Sequence, residues 1–115
     1  MKVAVIGSRE FKCDARHVFG QIEKYLPRGC AEIVSGGAVG VDTLAKRYAE
    51  RNRLRFTCFE PDYIQFGKTA PLVRNDEIID YSDFVLVIWN GESNGSRYVI
   101  NKCIEKDKPM KIVYI

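Results

Sequence analysis

Two glycine-rich stretches hold most of the chemistry this sequence can do. Ser35-Gly36-Gly37-Ala38-Val39-Gly40-Val41-Asp42 and Trp89-Asn90-Gly91-Glu92-Ser93-Asn94-Gly95-Ser96-Arg97 each run into an amphipathic segment. Small residues ahead of a helix leave backbone N–H groups open, and those groups together with the helix dipole hold anions. The first stretch is a candidate anion site through Gly36, Gly37, Ala38 and Gly40; the second is a candidate phosphate cradle through Gly91, Ser93, Gly95 and Ser96. Neither spacing is G-x-G-x-x-G or G-x-x-x-x-G-K-[ST], so no standard dinucleotide fingerprint or P-loop is present.

Other reactive residues stand near these loops in the chain. Gly7-Ser8-Arg9 offers a sharp turn, a hydroxyl and a planar guanidinium suited to phosphate or carboxylate. Arg74-Asn75 is a polar pair that reaches the same region if its helix points that way. Three carboxylates are candidates for acid or base work on a glycosidic or phosphoester bond: Asp42, Asp62 and Glu92. Asp42 falls in a first helical turn, where it serves either as a favourable charge or as acceptor for a ribose hydroxyl. The aromatic segment Tyr63-Ile64-Gln65-Phe66 suits a wall over a site, or a surface loop packed on itself. His17 sits on the first helix, away from all of these, and reads as a surface residue. Trp89 at a strand end reads as a cap on the core.

The elements that must position these loops follow from periodicity. Val3–Ile6 is a β-branched run ending at glycine, as in a central strand buried on both faces. Further strands are expected over Ala31–Val34, Leu54–Phe59, Phe84–Trp89 and Met110–Ile115. Helices are expected over Asp14–Leu26, from Val41 onward, from a Thr69 cap to about Asp80, and over Gly95–Lys106 with Val99, Ile100, Cys103 and Ile104 inward. Alternating strands and helices give an α/β, Rossmann-like three-layer domain on a five-stranded parallel sheet. Right-handed crossovers leave two strand orders, 3-2-1-4-5 and 2-1-3-4-5, and both put a ligand site at the carboxyl ends of the strands.

Composition bounds the rest. The 115 residues suffice for one domain, 1–115, with 46% hydrophobic and 29% charged residues. The first apolar stretch is too short for a secretory signal, and a cytoplasmic protein without membrane spans is expected. The four cysteines, Cys13, Cys30, Cys58 and Cys103, form no C-x-x-C pair and read as buried or half-buried thiols, with no metal site. A net charge of +3 tolerates a small anionic ligand and falls short of a nucleic-acid footprint, which argues against nucleic acid as a partner.

Taken in order along nearly the whole chain, Val5-Ile6-Gly7-Ser8-Arg9, Ile33 through Ala45, Pro61-Asp62-Tyr63, Gly67-Lys68, Arg74-Asn75 and Trp89 through Ser96 resemble the SLOG superfamily, in its YspA-type, YpsA-related branch. The Ser-Gly-Gly-Ala-x-Gly-Val-Asp block is the specific part. The resemblance implies strand order 3-2-1-4-5 and a site for a nucleotide or an ADP-ribose-like molecule. On it, Gly7, Ser8, Arg9 and Ser35 through Asp42 would surround the ligand, and Gly91 through Ser96 would hold phosphate. Family analogy also implies a homodimer, and no required cofactor. The related Lonely Guy phosphoribohydrolases carry Pro-Gly-Gly-x-Gly-Thr-x-x-Glu; here that stretch ends in Val99 and lacks the Pro-Gly-Gly, which counts against hydrolysis. The expected function is therefore nucleotide binding as a sensor, carrier or sequestering module. An N-glycosidic hydrolase is the first alternative. Single-stranded nucleic-acid binding, prompted by DNA-processing relatives of the fold, is the second; it would use Lys46, Arg47, Arg51, Arg53 and Arg55 with the 63–66 aromatics.

Overall fold

The structure, a computed structural model, describes all residues 1–115. In chain order its elements are β1 (Lys2–Gly7), α1 (Ala15–Tyr25), β2 (Glu32–Ser35), α2 (Val41–Arg51), β3 (Arg55–Cys58), α3 (Tyr63–Phe66), α4 (Ala70–Tyr81), β4 (Phe84–Trp89), α5 (Asn94–Glu105) and β5 (Met110–Tyr114). One parallel sheet runs β3-β2-β1-β4-β5, the first of the two orders left open by handedness. Its register pairs Val3 with Ile33 on one side and with Phe84 on the other, so β1 is central.

Two core layers flank the sheet because successive side chains of each strand point to opposite faces. Val3, Val5, Ile33, Leu86 and Ile88 meet Val18 and Ile22 of α1 and Val41, Leu44, Ala45, Tyr48 and Ala49 of α2. Ala4, Ile6, Val34, Val85 and Val87 meet Ile78 and Ile79 of α4 and Val99, Ile100 and Cys103 of α5. Trp89 packs against the second layer, as a core cap does.

Several expectations need correction. Ile104 is 62% exposed and is not part of the inward stripe of α5. The Thr69 hydroxyl donates to the Phe66 carbonyl at 2.8 Å and does not cap α4. Cys58 is exposed, whereas Cys13 and Cys30 are half-buried and Cys103 is buried. The segment 63–66 forms α3, a single turn capped by the Asp62 carboxylate on the Gln65 amide at 3.1 Å. No helix is long and apolar enough to cross a membrane.

Candidate functional site: a cleft at the carboxyl ends of the strands

Two glycines let the loops approach one another. A Cβ at Gly7 would lie 2.3 Å from the Ile88 carbonyl oxygen and 2.6 Å from the Val41 side chain. Gly40 has φ +83°, and a Cβ there would lie 2.5 Å from the Arg9 carbonyl oxygen. With no side chain at either position, the Ser8-Arg9 backbone crosses directly over the start of α2, and the Val41 amide donates to the Ser8 carbonyl at 3.2 Å. One amide of the α2 mouth is thus used inside the protein.

Ser8 ties the β1 loop to the β4 loop. Its Oγ accepts from the Asn90 amide at 2.9 Å, and the residue is fully buried. Asn90 extends the tie: its Nδ2 donates to the Glu10 carbonyl at 2.9 Å, while its Oδ1 accepts from the Glu92 and Ser93 amides at 2.8 and 3.0 Å. Ser93 then caps α5 by accepting from the Ser96 amide. The Asn94 and Gly95 amides donate to nothing within the protein and open at the end of the helix.

Both helix mouths face one cleft of about 430 Å³. Of the residues singled out in the sequence, Gly7, Arg9, Ala38, Asp42, Arg74, Asn75, Ser93 and Gly95 line it. Asn94, within the Gly91–Ser96 stretch expected to hold phosphate, lines it too, and so do Ile6, Glu10, Pro71, Leu72 and Asn90, to which the sequence assigned no part in a site. Ser8, Ser35, Val41 and Ser96 are buried at 2% exposure or less and do not reach it. Ser35 is used internally, donating to the Val5 carbonyl at 3.1 Å. Gly36, Gly37, Gly40 and Gly91 shape the loops without lining the cleft.

The carboxylate candidates are dispersed. Asp42 alone lines the cleft; Asp62 lies in a depression with Glu60, Gln65 and Glu77, and Glu92 in another with Phe11 and Lys12. The 63–66 aromatics form no wall over the cleft either: Tyr63 is 59% exposed and Phe66 lines the depression around Asp62. The basic residues near the end of α2 are also elsewhere, with Arg47 and Arg51 joining Arg16 and Phe19 in a groove that shares no residue with the cleft.

Two groups give the cleft its electrostatics. Arg74 is held by donating through Nε to Asn75 Oδ1 at 2.9 Å and through one terminal nitrogen to the Gly36 carbonyl at 2.7 Å. A guanidinium carries five N–H donors, so the remainder are free for a guest. A Cβ at Gly36 would come within 2.6 Å of that terminal nitrogen, so glycine is what admits the guanidinium. Asp42 is 5% exposed; its Oδ2 accepts from the Ala38 amide at 3.3 Å, while Oδ1 is buried without a partner. Burial pushes this carboxyl up to about 6, against the Ala38 amide, the Arg74 charge, the Ser35 hydroxyl and the Gly36 amide, which all pull it down.

No curated protein matches the sequence. Among solved structures, DNA processing protein A from Helicobacter pylori, described for its single-stranded DNA binding mode, superposes with a TM-score of 0.74 at 24% identity. The match covers 97% of this chain and 64% of that one, so the chain spans less than two-thirds of that protein. It fixes the fold, and it overturns the argument against nucleic acid: a protein on this same scaffold binds single-stranded DNA. A net charge of +3 does not decide the point, because a count of charges leaves out the fixed direction of guanidinium and helix-start amide donors. The sequence model of DNA recombination-mediator protein A matches residues 1–59, the segment from β1 through β3 that includes the Ser35–Asp42 block. The chain belongs to the DNA recombination-mediator protein A family.

Proposed function

We propose that this domain binds single-stranded DNA, seating one nucleotide unit of the strand in the cleft at the carboxyl ends of β1, β2 and β4. The observation that carries the reading is the convergence on one hollow of Arg9, Arg74 and the unpaired Asn94 and Gly95 amides. Guanidinium forks and helix-start amides are the groups that grip a phosphodiester. Family membership and the shared fold with a single-stranded DNA binder support it.

The test is titration of a labelled oligothymidine by fluorescence anisotropy at several salt concentrations. Each phosphate contact on a single strand contributes about −0.7 to the slope of log K against log salt. With two phosphates gripped, affinity falls about sevenfold between roughly 50 and 200 mM salt. Arg9→Ala and Arg74→Ala each weaken binding and flatten that slope. Absence of binding at low salt, or both variants binding like the parent, refutes the reading.

A free nucleotide or ADP-ribose-like derivative is the second reading, favoured by the convergence of Arg74, Asp42 and the α5 amides on one hollow, a set that could hold a phosphate and a hydroxyl of the same small molecule. A mononucleotide at 100 times its dissociation constant would add about 2.7 kcal/mol of stability. A melting temperature unmoved by a panel of nucleotides removes it.

A further inference from the structure

The domain buries two carboxylates, and it treats them differently. Glu32 Oε2 accepts from the hydroxyls of Thr57 and Tyr81 at 2.9 and 2.5 Å, which hold its carboxyl below the ordinary range despite burial. Asp42 has one oxygen on the Ala38 amide and the other, Oδ1, buried without a hydrogen bond: the nearby Ser35 hydroxyl is spent on the Val5 carbonyl, and the Gly36 amide, though close enough to favour the charge, makes no bond to it. An orphaned buried acceptor costs about 1–3 kcal/mol. Of its two buried carboxylates the chain satisfies Glu32 and leaves an oxygen unpaired at Asp42, which lines the cleft; the other unpaired buried oxygen is the Ser82 hydroxyl, away from the cleft.

We propose that Asp42 reads the guest: its Oδ1 accepts a hydrogen bond from a neutral donor on the nucleotide, a base N–H, held beside the gripped phosphate. This rests on the nucleotide-unit reading above and adds a polarity to it. A phosphate cannot sit against a carboxylate, so it lies toward Arg9 and the α5 amides, and the donor-bearing part of the guest lies toward α2. The other charged or titratable groups around Asp42 are Arg74 of α4, Arg9 and Glu10 after β1, Lys46 one turn further along α2, and Cys58 and Glu60 at the end of β3. None of them hydrogen-bonds Oδ1.

Asp42→Asn tests the inference with little change in shape. The Ala38 amide keeps an oxygen opposite it, so the new NH2 falls where Oδ1 was and the acceptor becomes a donor. Three labelled oligomers separate the sources: deoxyuridine, uridine, and deoxyribose phosphate without bases. A base donor appears as a preference for oligodeoxyuridine over the abasic strand; a preference for oligouridine over oligodeoxyuridine that Asp42→Asn abolishes would put a ribose hydroxyl, which DNA lacks, at Oδ1 and would overturn the assignment. In the variant, the base preference falls about tenfold, as for loss of one charge-assisted hydrogen bond, while binding of the abasic strand persists.

If both preferences are the same in parent and variant while the abasic strand still binds, this inference falls and the DNA-binding reading stands. If the parent binds none of the three, both fall. Should the variant not fold, the parent alone decides. Its preference should collapse between about pH 7 and pH 5 as the Asp42 carboxyl, raised to about 6, takes up a proton and loses acceptor strength. A flat preference over that range overturns the inference.

Discussion

Asp42→Asn should also change stability, with a sign and a pH dependence that follow from burial. The carboxyl titrates near 6 in the folded chain against an ordinary 3.8. Above pH 6 it is ionised in both states, and the folded state bears the full cost of a buried charge. About two pKa units at 1.36 kcal/mol each put that cost at about 3 kcal/mol. As pH falls from 6 toward 4 the folded state takes up the proton first, so the cost is relieved progressively and is gone below about pH 4. Asparagine has no such titration, though its buried NH2 carries a constant penalty of about 1–3 kcal/mol. That penalty shifts the two stability curves by a fixed amount. Their difference therefore changes by about 2.5 kcal/mol in favour of the variant between pH 4 and pH 8. Taking the difference removes titrations common to both chains, such as that of Glu32. Urea unfolding of parent and variant at unit pH steps measures it directly. A difference that is constant with pH, or that moves toward the parent as pH rises, would refute the idea that Asp42 is buried as a charge awaiting a partner.

Three other outcomes follow from the geometry. Gly40→Ala forces a side chain into φ +83° and against the Arg9 carbonyl at 2.5 Å, so thermal melting should show a loss of at least about 1–3 kcal/mol, with DNA binding weakened as the loop moves. Asn90→Ala removes three hydrogen bonds, one joining the β1 and β4 loops and two bracing the β4 loop, and should cost about 2–3 kcal/mol in urea unfolding, a loss that Asn90→Asp only partly repeats because the donor to Glu10 alone is missing. On α4, Ile78→Ala empties a fully buried site and should cost about 2–5 kcal/mol, whereas Ile104→Ser on α5, at 62% exposure, should stay within about 0.5 kcal/mol of the parent.

The readable parts of the fold are those where a periodic pattern meets one large apolar surface. Val41, Leu44, Ala45, Tyr48 and Ala49 are all buried, because helical spacing over eleven residues presents a single stripe to the sheet. Ile104 misled because apolarity was counted without its angle. At about 100° per residue it stands roughly 140° from Val99, off the edge of the stripe that Cys103 completes. The single turn at 63–66 is too short to show a period at all. Strand order was narrowed by handedness but chosen only by family resemblance. At the site, the glycines were legible as loops, but their purpose was not. Gly7 and Gly40 make room for backbone that comes from strands far away in sequence, and Gly36 makes room for Arg74. Ser8 and Asn90 lie 82 residues apart, so no local spacing could announce their bond.

The same distinction between counting and geometry governs the charge. Around the cleft, Arg9 and Arg74 are offset by Glu10 and Asp42, so formal charge there sums to zero. Attraction for a phosphate comes instead from direction: a guanidinium fixed by the Gly36 carbonyl and Asn75, and two helix-start amides that carry partial charge without entering any count. A site of this kind binds few phosphates and gives a shallow salt dependence, a slope near −1.4 for two contacts. The Arg16, Arg47 and Arg51 groove is the opposite case, three cations with no carboxylate among its lining residues. Were that groove the main DNA surface, the slope would steepen past about −2, and Arg47→Ala would flatten it more than Arg9→Ala does. Measuring both slopes on the same oligonucleotide decides between an oriented cleft and a simple basic face.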